Sequence, residues 1–214
     1  MTFFLIAAVP LFIPLCLALF FPERSPDRGI FIAYLKGLLW FLPFLLVFYL
    51  FKNSLSPDYT ARGIYGYYLL HDYLFPVVMS LLGYLVLFRA SSRLGAGPDP
   101  AGTTMFFCGY FTFFGILELI LRFRWFDFQI LFMRPVIFII LILYLSGMTY
   151  LAFSQEGWLR IFLLICAAAI SVALATVPLL YRLSYKPISL AVCLVLFGGS
   201  FFFLKMITKG ERYT

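Results

Sequence analysis

Charged residues in this chain come in short groups, and the apolar stretches between the groups are about 20 residues long, enough to cross a hydrocarbon core of about 30 Å. With only 16 Lys or Arg and 9 Asp or Glu among 214 residues, there is too little charge to coat a water-facing surface on a domain of this size. The mean hydropathy of +1.03 and the 64% hydrophobic content place the outer surface against lipid instead. In lipid every backbone polar group has to be satisfied internally, so the expected fold is an all-α integral membrane protein, a bundle of about seven transmembrane helices with short loops. The chain forms a single polytopic membrane domain on this reading, because no loop is long enough to fold by itself; the longest covers 52–67.

The expected spans are 2–21, 31–51, 67–88, 103–121, 135–153, 158–181 and 187–204. The first carries Pro10 and Pro14, lacks a basic start and ends at Phe21-Pro22 rather than at small residues, so it reads as a retained helix and not as a cleaved signal. The third is entered through Tyr65, Tyr67, Tyr68, His71, Asp72 and Tyr73, an aromatic belt suited to the membrane interface. Prolines 135 and 187 open the fifth and seventh spans, where a missing N–H costs nothing. An odd span count puts the termini on opposite sides. Lys and Arg are more numerous on the C-terminal side, the tail from Lys205 included, which favours an external N-terminus and a cytoplasmic C-terminus in a plasma or bacterial inner membrane.

Helix packing leaves a clear trace. Ala167, Ser171 and Ala175 recur at i, i+4 and i+8 on one stripe of the sixth span, where small side chains let another backbone come close. Gly198, Gly199 and Ser200 suggest a second close approach in the seventh. The 28 Phe and 14 Tyr suit a lipid-facing bundle, since Phe tolerates hydrocarbon and Tyr favours its edges.

Ionisable groups within or beside the spans are the functional candidates. Glu118 sits inside the fourth span and shares a helical face with Arg122 one turn on, so it is either half of a local pair or a proton or cation site lining a cavity. In the segment 122–134, Arg124, Asp127 and Arg134 would occupy an arc of about 80° on a helix lying in the interface, with Trp125 as an anchor. His71 is the one histidine of the chain, which excludes multi-histidine metal sites. Asp72 follows it directly. On an α-helix neighbours diverge by about 100°, so these two are not expected to form a dyad.

Other motifs are missing. Cys16, Cys108, Cys166 and Cys193 lie in apolar stretches without C-x-x-C spacing and read as small buried hydrophobes. Ser200 is not in a G-x-S-x-G elbow, and no phosphate-cradling loop occurs, so no cofactor or metal is expected. Like charges never run beyond two neighbours, which excludes a nucleic-acid arm. Two functions remain. The favoured one is a non-catalytic subunit of a membrane complex or transporter, with the lipid bilayer and other membrane or soluble subunits as partners. The alternative is an intramembrane or interfacial enzyme acting on lipid through Glu118, the His71 and Asp72 region, or the arginines of 122–134.

Overall fold

The computed structural model describes residues 28–51, 60–92, 100–122 and 133–210, and these are helical almost throughout. The expected span 2–21 lies outside the described residues. The helices are α1 (Arg28–Phe51), α2 (Ala61–Tyr67), a π-helix (Tyr68–Leu74), α3 (Phe75–Ser92), α4 (Pro100–Arg122), α5 (Arg134–Phe153), α6 (Trp158–Arg182) and α7 (Lys186–Gly210). Because α2, the π-helix and α3 run on without a break, they make one rod, and the described residues hold six helices long and apolar enough to cross a membrane.

Local chemistry sets the ends. Thr60 adopts an extended backbone, and its hydroxyl accepts from the Gly63 N–H at 3.1 Å, capping α2 well before the start expected from hydropathy. Prolines stand at or next to the first residue of α4, α5 and α7. Between α6 and α7 the chain turns within three residues, with the Leu183 and Tyr185 N–H groups bonded to Leu179 and Leu180 carbonyls at 2.9 Å and Ser184 at φ 69°. The hairpin between α5 and α6 turns through Gly157, whose φ of 64° suits a residue without a side chain.

Helices α4 and α5 form the middle of the bundle. α5 touches α4, α6 and α7, and α1 makes its main contact with α4. That last contact is a reciprocal backbone approach: a Cβ at Gly37 would run into the Phe106 carbonyl, and one at Gly109 into the Tyr34 carbonyl. Around it lie Phe41, Phe44, Phe106, Tyr110 and Phe114, all buried, with Phe44 edge-on to both Tyr110 and Phe114. Gly83 of α3 lies under the Trp40 indole, whose Nε1–H donates to the Met79 carbonyl at 2.8 Å. Beside Phe106 and Phe107 the Tyr84 hydroxyl meets Thr103 Oγ1 at 2.7 Å.

The stripe Ala167, Ser171 and Ala175 is fully buried in α6. Gly198 and Gly199 differ from expectation: both are exposed, with nothing near the space a Cβ would fill, so no second close approach forms there. The small residues that bring helices together are Gly37 and Gly109 instead. They lack the doublet that makes 198–199 conspicuous: Gly37 stands alone among Lys36, Leu38 and Leu39, and Gly109 stands alone in an aromatic run.

Gly37→Ala and Gly109→Ala are each expected to destabilise the protein by roughly 1–3 kcal/mol through overpacking. Gly198→Ala is expected to change stability by less than about 0.5 kcal/mol. Thermal unfolding of the purified variants in mild detergent measures both.

Candidate functional site

At one end of the bundle, the start of α5 and the end of α6 meet the π-helix, and a polar cluster forms among aromatic rings. Asp72 on the π-helix is 2% exposed. One carboxylate oxygen accepts from Arg134 Nη2 at 2.8 Å, and the other from His71 Nδ1 at 2.9 Å. The Arg134 and His71 side chains are themselves nearly covered, at 11% and 13% exposure. Tyr68 and Tyr73 are near enough to the Arg134 guanidinium to interact with it electrostatically. The His71 ring stacks on Tyr67 at 4.9 Å and tilts against Phe48 of α1 at 4.7 Å.

The π-helix explains how two adjacent side chains come together against expectation. Pro76 has no N–H to give the Asp72 carbonyl, and its ring would press on that carbonyl in an α-helix. The backbone answers by widening: the Phe75 N–H bonds to Leu70, five residues back. Wider turns hold more residues, so His71 and Asp72 diverge by less than an α-helix would impose, and a His71–Asp72 pair forms. The correction comes from the backbone type, since the α-helical angle assumed for this stretch does not apply.

Charge pairing follows the cost of burial. A carboxylate with so little exposure needs compensation, and Arg134, 62 residues on, supplies it together with a hydrogen bond. His71 Nδ1 meets the other carboxylate oxygen at 2.9 Å, an arrangement in which a carboxylate orients an imidazole. Chemically the cluster can hold two helices in register and can keep an oriented imidazole under aromatic cover.

Other expected residues fall elsewhere. Glu118 and Arg122 lie on the last turns of α4, where only the backbone is described. Arg124 and Asp127 lie outside the described residues. Among the described residues, no three His, Cys, Asp or Glu gather around one point. Cys108 and Cys193 are buried, and the Ser200 hydroxyl bonds its own helix at Leu196. Sequence reasoning placed Tyr68 only in the aromatic belt and did not single out Arg182 of α6, whose Nη1 reaches the Tyr68 hydroxyl at 3.5 Å. Pro76, four residues past Asp72, was the available signal for the π-helix.

Removing one partner of a buried ion pair strands the other, so Asp72→Asn or Arg134→Gln alone is expected to cost roughly 3–5 kcal/mol. The double variant is expected to cost less than the two combined, because neither charge is left unpaired. Pro76→Ala, which permits an α-helical turn, is expected to shrink that coupling. Unfolding in mild detergent across the four-variant cycle, run with and without the Pro76→Ala substitution, checks all three.

No family model, curated protein or solved structure matches this chain, so its site is defined by its own residues.

Proposed function

We propose that this chain is an integral membrane protein acting as a non-catalytic subunit of a membrane complex or transporter. The observation that carries the reading is the Asp72 carboxylate with both oxygens engaged, one by His71 and one by Arg134. Ionisable groups inside the bundle thus satisfy each other and lock helices together, which is what a structural role requires. Outward faces are broadly apolar, with Leu46 and Tyr49 of α1 and Val195 and Phe202 of α7 each more than two-thirds exposed, and lipid or partner helices would cover them. The proposed setting is a plasma or bacterial inner membrane, with the C-terminus in the cytoplasm, supported by the basic tail from Lys205.

One observation favours the second reading, an interfacial enzyme acting on lipid. The imidazole of His71 is held by the Asp72 carboxylate, as histidine bases commonly are held by an acid. A single experiment separates the two. The tagged chain, purified from its native membrane in mild detergent, is expected to bring down a stoichiometric subunit, and His71→Gln is expected to leave that recovery unchanged. A lone monomer that turns over lipid, with turnover lost in His71→Gln, contradicts the subunit reading.

A further inference from the structure

Along the side of α1 turned away from the bundle, Ile32, Leu35, Leu39, Leu42, Leu46 and Tyr49 form one exposed stripe, with Leu39 and Leu42 at 59% and 61% exposure. Their spacing alternates three and four residues, the seam that one helix offers to another running alongside it. The opposite side of α1 is already taken: Ala33, Phe41, Phe44 and Phe48 are buried, and Gly37 lies against the α4 backbone. From Ile32 to Tyr49 the stripe runs roughly 26 Å, close to the depth of a hydrocarbon core. Pro43 stands on the same outward face, inside the helix, and has no N–H to give the Leu39 carbonyl. Lipid tails offer such an oxygen nothing, whereas a neighbouring helix is a usual remedy.

Chain length names the neighbour. The stretch 2–21 has no charged residue and would be roughly 30 Å long as a helix, and only residues 22–27 separate it from Arg28 at the start of α1. That connection carries Glu23, Arg24, Asp27 and two prolines, the composition of a turn at the water's edge. Fully extended it reaches roughly 20 Å, and connections this short join helices as antiparallel neighbours. α7, which also exposes an apolar face, packs on α5 and α6, whereas α1 packs on α4 and α3.

We propose that the segment 2–21 docks along the outward stripe of α1 and runs antiparallel to it. The stripe is then closed to partner subunits, which have to use another face of the bundle. This docking does not depend on whether the chain serves as a subunit, and partner recovery does not report on it.

Disulfide trapping tests it on the full chain in membrane vesicles, with the native cysteines replaced by alanine and a mild oxidant added. Counting back from the connection, Ala7 falls opposite Leu42. Ala7→Cys is therefore combined in turn with Leu39→Cys, Leu42→Cys and Leu46→Cys, which covers a helical turn either way. At least one pair is expected to lose both free thiols and to yield joined peptides within one chain, because a disulfide forms only when the two Cα atoms come within about 7 Å. Cys16, kept in place and paired with Leu35→Cys or Ile32→Cys, repeats the test nearer the connection should Ala7→Cys fail to fold. Ala7→Cys with Val195→Cys of α7 is expected to keep its thiols. Three outcomes overturn the docking. One is folded protein with no joined pair in any α1 combination, which leaves the stripe to lipid. Another is joining to Val195→Cys rather than to α1. The third is disulfide-linked dimers from Leu42→Cys alone, which puts a second copy on the stripe.

Discussion

A carboxylate withdrawn from water has to be neutralised where it stands, and the arrangement of this bundle around Asp72 follows from that requirement. Arg134 reaches it from the first turn of α5, His71 reaches it from the same π-helical turn, and the rings of Tyr67 and Phe48 close over the imidazole. The bridge ties the rod of residues 61–92 to the central helix α5. In the proposed bilayer such a pair contributes specificity more than stability, because apolar side chains of the same volume would pack as well, whereas either charge alone would force the helices apart.

Elsewhere among the described residues close contact holds the helices together. In the proposed bilayer lipid offers helices no hydrophobic drive to associate, so such packing has to replace it. Gly37 and Gly109 allow the α1 and α4 backbones to meet, the Trp40 indole packs against Gly83, and a layer of Phe and Tyr rings fills the space on either side. Pro76 shapes the polar cluster through the backbone. By denying the helix one hydrogen bond it widens the turn before it, and the widened turn aims His71 and Asp72 together.

What could be read from the amino-acid order was what depends on neighbours in the chain. Hydropathy over 20 residues is a local property, and helices α4 to α7 begin and end within a few residues of the apolar stretches, apart from the longer C-terminal end of α7. The stripe of Ala167, Ser171 and Ala175 is equally local and lies buried. Pairing across the bundle is not local. Nothing near Asp72 names Arg134 as its partner 62 residues away, whereas Glu118 drew attention as an acid inside an apolar stretch, with Arg122 one helical turn on as a local partner. The His71–Asp72 contact was hidden by a different cause, the assumption of an α-helical turn where Pro76 imposes a π-helical one. Gly198 and Gly199 show the reverse error: a conspicuous doublet faces outward, while two isolated glycines make the tight crossing.

The direct test is the distance between the two charged groups in lipid. With Asp72 labelled at its carboxyl carbon and Arg134 at its guanidinium nitrogens, dipolar recoupling by solid-state NMR in bilayers is predicted to give strong dephasing, corresponding to a carbon–nitrogen separation of about 4 Å or less. Absence of measurable dephasing in folded protein would mean that the carboxylate and the guanidinium are solvated separately, and the account built on their pairing would be wrong.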